Sequence, residues 1–356
     1  MATSTSDEPI VIDIEVTNRC NADCHFCPRD QTPHEGLMTP EVFEQALWRA
    51  EEYRAVAAEL LDADTDVSLC GLGEPLINKN TPSWVRAVKE AGFRCTLSSN
   101  GALLDERRGQ AVLDAGLDRI MINVGDIGTA YEEVYKLPWQ RTHDNVVRFV
   151  ELAGDACEVH VVLVDYKGDA AHLEAMKAFW RARGVTHFVE FGIMNRGGSL
   201  FVDHMQFETL PQYDEARRLL AGRDGPAICG APFAYLFVGY DGNYYLCCSD
   251  WRKEVPLGSV FDVSFRDVIR PKLEHVVARS TVCRTCNLDP LNVLTDELRA
   301  RDEGEHSVVD PEGMAAQMVD VTGKIGDVLD KLVPDVSNVL TTPRAPRRRR
   351  IPVFGR

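Results

Sequence analysis

Residues 10–16, IVIDIEV, run directly into residues 17–28, TNRCNADCHFCP, and this stretch decides the fold. Its first half alternates in part and is rich in β-branched residues, which reads as a strand. The cysteines Cys20, Cys24 and Cys27 therefore stand on a loop that follows a first strand. Working outward, residues 39–58 read as a helix, with Thr39 at the N-cap, Pro40 at the first helical position and apolar residues at helical spacing. Strands are predicted at 67–70, 95–98, 119–124, 159–164 and 187–191, with helices at 81–91, 105–115, 145–153 and 172–183. Gly92, Gly116 and Gly184 each stand just past a helix, where a left-handed residue is wanted. Six strands separated by helices imply parallel pairing through right-handed crossovers. The expectation is an α/β fold, a curved sheet or partial barrel of six βα units, with the site at the C-terminal ends of the strands.

The spacing of three residues and then two gathers three thiols round a common point, and thiolates suit iron–sulfur clusters or zinc. Three ligands are one fewer than a closed four-cysteine site, so a fourth position stays open. The competing reading is a zinc knuckle that borrows a distant ligand, with His25 and His34 nearby. Farther on, Cys229, Cys247, Cys283 and Cys286 supply four more thiols around a turn-rich segment. Residues 235–238 and 244–246 read as a hairpin about the turn 240–243, placed in a small cysteine domain. A structural zinc ribbon is the alternative for this group. Cys248 adjoins one of its members, while Cys70, Cys95 and Cys157 are isolated.

In bulk the chain is 356 residues long with a net charge of −16, which argues against a general nucleic-acid binder. Its longest apolar runs, such as 159–164, are too short to span a bilayer. The start shows no basic region leading into a long apolar stretch, so a cytoplasmic protein is expected. In a reducing compartment, eleven cysteines point to metal or catalysis rather than disulfides. After about residue 289 the sequence turns acidic and then Pro/Arg-rich, with one amphipathic helix expected at 314–332. The run Arg344, Arg347, Arg348, Arg349 and Arg350 reads as a solvated tail.

With Phe26 before the last cysteine, the first group resembles the signature of the radical SAM superfamily. The resemblance implies that Cys20, Cys24 and Cys27 hold three irons of a [4Fe–4S] cluster, the fourth being chelated by S-adenosylmethionine (SAM). Gly71-Leu-Gly73-Glu74-Pro75 is similar to the family's Gly-Gly-Glu-Pro element, which contacts the SAM amino group. Glycine permits close backbone approach, and a carboxylate suits an ammonium. Asn100, in Ser99-Asn100-Gly101, and Asn123 fall where the family places SAM or substrate contacts.

The second group, with Gly242 before Cys247, the run 257–260 and the Cys283–Cys286 pair, looks like the first part of the SPASM extension. No cysteine follows Cys286, which implies the shortened twitch form with one auxiliary [4Fe–4S] cluster, a layout similar to that of 2-deoxy-scyllo-inosamine dehydrogenases. The implied organisation is a radical SAM core at 8–200, a twitch domain at 225–290 and an extension at 300–356. The implied activity is reductive cleavage of SAM to a 5′-deoxyadenosyl radical, fed by a flavodoxin or ferredoxin. The radical takes hydrogen from a polar small molecule such as a sugar, aminocyclitol or nucleoside, in a dehydrogenation or an epimerisation. As hydrogen donor in the epimerase type, Cys248 is the candidate. Strand-end position nominates Tyr166, Lys167, Glu190 and Arg196 as pocket residues. A peptide maturase and a non-catalytic metal protein are the competing functions. Many maturases begin with a peptide-recognition domain, whereas this chain enters its first strand by Ile10.

Overall fold

The first strand forms where the sequence places it, as β1 (Ile10–Ile14). Thr39 then caps α1 (Pro40–Leu61), its hydroxyl accepting from the Val42 N–H at 3.4 Å. β2 (Thr65–Leu69), α2 (Thr81–Glu90), β3 (Cys95–Ser99), α3 (Glu106–Asp114) and β4 (Arg119–Asn123) follow in alternation. Two helices in series, α4 (Gly128–Tyr135) and α5 (Trp139–Ala153), lead to β5 (Glu158–Asp165), α6 (Ala170–Arg181) and β6 (His187–Gly192). Gly92, Gly116 and Gly184 all adopt positive φ, as helix ends of this kind require. The structure, a computed structural model, describes residues 9–200, 206–221, 223, 225–304, 310–336 and 338–341. The arginine run at 344–350 lies outside the described residues.

The remaining elements are α7 (Tyr213–Ala221), α8 (Ala231–Ala234), β7 (Tyr235–Val238), β8 (Asn243–Tyr245) and β9 (Pro256–Ser259), then α9 (Ile269–Val277), α10 (Thr281–Thr285), α11 (Pro290–Asp302), α12 (Pro311–Leu332) and α13 (Asn338–Thr341). One nine-stranded sheet runs β6-β5-β4-β3-β2-β1-β7-β8-β9, and β1 to β6 pair in parallel. With β6 and β9 at its two edges, the sheet stays open as a partial barrel.

Two features differ from the sequence reading. The hairpin expected in a separate cysteine module joins the main sheet: β7 lies parallel to β1, with Ile12 opposite Leu236 and Ile14 opposite Val238. Docking there pairs an edge that β1 would otherwise expose and buries Leu236, Phe237 and Val238. The acidic stretch after residue 289 forms α11, because Asp289 accepts from Leu291 N at 3.1 Å and the Leu294 and Leu298 side chains pack on Ala216, Ala315 and Met318. The amphipathic helix expected at 314–332 forms as α12, which packs along α1, α7 and α11.

Apolar residues of the strands, Ile12, Ile14, Val67, Leu69, Leu97 and Ile120 among them, meet helix residues such as Phe43, Trp84 and Phe149 in one core. Phe43 stacks on Trp84 at 4.5 Å. Because strand side chains alternate, burying Ile12 and Ile14 against the helices turns Asp13 and Glu15 to the other face, where both are buried.

Candidate functional site

The cysteine loop is held by its own backbone neighbours. Thr17 donates its hydroxyl to Gly36 O at 2.7 Å, and the fully buried Asn18 accepts from Gly36 N at 2.8 Å. Asp23 N and His25 N donate to the carbonyls of Tyr135 and Val134, at 3.3 and 3.0 Å. The loop thus rests on the C-terminal turn of α4, a helix the sequence reading did not find. Tyr131 and Tyr135, stacked at 4.6 Å, carry that turn, and Phe26 packs edge-on against Tyr135 at 5.4 Å. Their i, i+4 spacing was the available signal.

Burial pushes the thiols of Cys20, Cys24 and Cys27 up, Cys27 to about 11, and Cys24 is raised further by Cys27 and Cys20. Desolvated thiols that repel one another as anions are a donor set that a cationic cluster stabilises. Among the described residues, no three His, Cys, Asp or Glu side chains close on a single metal ion, and His25 and His34 stand exposed. With both histidines exposed, three desolvated thiols alone suit a cluster, whose thiolates sit on separate irons.

Glu74 is 1% exposed and links two strand ends. Its Oε1 accepts from Leu76 N at 3.1 Å and Ser99 Oγ at 3.0 Å, and its Oε2 from Asn100 N at 2.7 Å. Burial nevertheless raises its pKa to about 7, against those hydrogen bonds. Asn100 donates its side-chain N–H to Asn21 Oδ1 at 2.9 Å and to Cys20 Sγ at 3.8 Å. A Cβ on Gly73 would overlap the carbonyl oxygens of Arg19 and Thr17, and one on Gly71 would strike Glu15. Gly73 thus lets the cysteine loop pack closely against this turn, and Gly71 makes room for Glu15.

A cavity of about 140 Å³ opens beside the loop, with Phe26, Ser98, Met121, Asn123 and Arg196 in its wall. Of the four pocket nominations, Arg196 lines this cavity. Tyr166 and Lys167 instead donate to the buried Asp126, at 2.7 and 2.8 Å, and Glu190 accepts from Lys177 at 2.8 Å.

The second group converges from three elements. Burial raises Cys229 to about 12, with Cys286 and Cys283 adding to it; Cys247 is raised by burial, then by Cys248, Cys286 and Cys229. Cys283 is raised to about 11 by burial, and Cys286 is raised likewise. The segment after β6 is locked to this group. Asn195 N donates to Asn287 Oδ1 at 3.0 Å, Asn287 N returns the bond to Asn195 Oδ1 at 3.1 Å, and Thr285 Oγ1 reaches Gly197 O at 2.8 Å. Burial raises Cys248 as it does Cys27, and Arg196, inside that lock, opposes the rise at both. Sequence reasoning missed Asn195 and Asn287, whose roles have no local signal. It also missed Asp13, which accepts from Cys70 Sγ at 3.0 Å and which burial raises to about 6. An acid inside a β-branched strand was the clue.

The sequence matches the radical SAM superfamily over residues 14–176 and SPASM, an iron–sulfur cluster-binding domain, over residues 229–287. The GTP 3′,8-cyclase of Aquifex aeolicus is 30% identical over 194 residues, 51% of this chain and 56% of that protein. The chain spans 29% to 56% of the length of the curated relatives it matches first. The solved structure of anSMEcpe with bound AdoMet and Cp18Cys peptide has a TM-score of 0.54 at 14% identity, covering 93% of this chain and 100% of that one, and so shares the fold. BtrN in complex with AdoMet and 2-DOIA gives a TM-score of 0.49 at 19% identity, covering 79% and 94%.

Proposed function

The chain belongs to the radical SAM superfamily and carries a SPASM domain, and from that premise we propose an enzyme with two [4Fe–4S] clusters that acts on a polar small molecule. Cys20, Cys24 and Cys27 hold the cluster that takes SAM, and Cys229, Cys247, Cys283 and Cys286 hold one auxiliary cluster. The core occupies residues 8–200, the twitch region 225–290 and the extension 300–356. When bound, the reduced cluster and SAM supply a 5′-deoxyadenosyl radical that takes a hydrogen atom from the substrate. Glu74 receives the SAM amino group, Gly71 and Gly73 let the backbone approach the bound molecule closely, and Asn100 and Asn123 border it. Phe26 walls the cavity beside the cysteines.

The observation that carries this reading is the cavity beside the first cysteine loop, walled by Phe26 of that loop and by Arg196, whose neighbours Asn195 and Gly197 bond to the Cys283–Cys286 segment. Its modest volume and the polar groups of Ser98, Asn123 and Arg196 support a sugar, aminocyclitol or nucleoside. Dehydrogenation suits an auxiliary cluster close to the substrate; in a net epimerisation Cys248 would be the hydrogen donor. A reducing, cytoplasmic setting with a flavodoxin or ferredoxin as electron source suits eleven unpaired cysteines. Among the described residues, no helix is long and apolar enough to cross a membrane.

Anaerobic incubation of reconstituted protein with SAM and dithionite is expected to release 5′-deoxyadenosine, and Cys27→Ala to abolish it. Deuterated candidates should pass label into that product. Two zinc ions per chain in place of about eight iron and eight sulfide would overturn the enzyme reading. Label from no sugar, aminocyclitol or nucleoside would overturn the substrate class.

A further inference from the structure

α9 delivers a lysine to the interior. Lys272 is 1% exposed, and its ammonium donates to the Pro232 carbonyl at 2.9 Å, three residues beyond Cys229. Among the described residues no carboxylate lies within 4.0 Å of it. A buried ammonium with a single carbonyl partner costs several kcal/mol unless an anion stands close by. The anionic charges that favour its protonated form are those of Cys247, Cys248 and Asp13, opposing a burial that pulls it down to about 8. Held beside the segment that carries Cys229, the ammonium meets a compensating charge when thiolates are bound to iron there. The lysine looks misplaced in the bare protein and matched in the loaded one.

We infer that Lys272 is the built-in countercharge of the auxiliary cluster and raises its reduction potential. The inference rests on the two-cluster reading above. Net charge around a cluster is one of the terms that set its potential, and burial strengthens it by excluding solvent. The [4Fe–4S]2+/1+ couple takes up one electron and no proton, so a fixed positive charge beside it favours the reduced state. The buried carboxylate of Asp13, one of the charges that act on Lys272, has the opposite sign. The balance between the two makes the auxiliary site a better or worse electron acceptor without changing any ligand.

The test is a redox titration followed by electron paramagnetic resonance on anaerobically reconstituted protein at pH 7, where Lys272 is mostly protonated. Iron and sulfide of about eight each per wild-type chain establish the two-cluster state; about four would overturn that reading, independently of this one. Lys272→Met, similar in length and uncharged, is expected to lower the auxiliary reduced-to-oxidised ratio about tenfold at the wild-type midpoint, equivalent to about 59 mV for a one-electron couple. The SAM-responsive cluster should not move. Asp13→Asn should shift the auxiliary midpoint the other way. Equal auxiliary midpoints in wild type and Lys272→Met overturn the inference, as does a shift shared by both clusters. Should Lys272→Met lose auxiliary iron, Asp13→Asn decides: a rise sustains the countercharge, and an unmoved midpoint removes it.

Discussion

Glu74 accepts three hydrogen bonds and still has its pKa raised to about 7, so its ionisation is only partly compensated inside the protein. Its folded pKa lies above the unfolded value, so in the ligand-free chain its stabilising contribution is full below about pH 4.3 and is lost as pH rises through about 7. An ammonium placed on the carboxylate reverses that balance by favouring the ionised form. SAM binding, followed through its effect on the cluster spectrum, is therefore expected to strengthen from pH 6 to pH 8 as the ionised fraction rises from about a tenth to about nine-tenths. Glu74→Gln should flatten that dependence and weaken binding by about tenfold to a hundredfold, as loss of a charged hydrogen bond of about 1.5–3 kcal/mol implies. A wild-type profile that is flat over this range would assign the ammonium to another group.

At the scale of elements, β1 is joined to the hairpin by a buried ion pair as well as by strand pairing. Lys253 Nζ lies 2.8 Å from Glu15 Oε2, with the side chains 6% and 0% exposed, and Tyr240 N donates to the same oxygen at 3.1 Å. Lys253→Met leaves that carboxylate buried without its cation, an expected loss of about 3–5 kcal/mol in the denaturant midpoint analysis. The double variant Lys253→Met, Glu15→Gln should recover most of it; no recovery would mean that Lys253 acts through packing on Tyr240 and Tyr245. This joint was not legible in the sequence, although β1 was. Strands and long helices declared themselves because burial on one face imposes a period, as with Phe43, Ala46 and Ala50 on α1. The short α4 did not: it opens on Gly128 at positive φ and ends before Pro138, punctuation that reads as a loop. In the same way the cysteine spacings were plain, whereas Asn195, Asn287 and Lys272 act through partners about forty to ninety residues away, for which a single sequence carries no mark.

Across the whole molecule the C-terminal extension turns out to brace the second cysteine group. The Thr322 hydroxyl of α12 accepts from the buried Ile228 N–H at 2.9 Å and donates to Met318 O at 3.0 Å, fixing the residue that precedes Cys229. Beside it Gly230 lies close under Ile325, so the same helix shapes both sides of that cysteine. Residues 311–332 also cover α1, which ties the brace to the core that carries the first group. A chain ended after Asp310 should therefore lose the auxiliary iron, falling from about eight to about four iron atoms. The SAM-dependent change in the first cluster's spectrum should persist. Thr322→Val tests the hydrogen bond apart from the helix: an orphaned buried N–H costs about 1–3 kcal/mol, so auxiliary iron should become easier to strip with a chelator, without total loss. If the shortened chain kept all its iron, the thiols would be held by the sheet and by the Asn195–Asn287 lock, and α12 would be a cover for α1 alone.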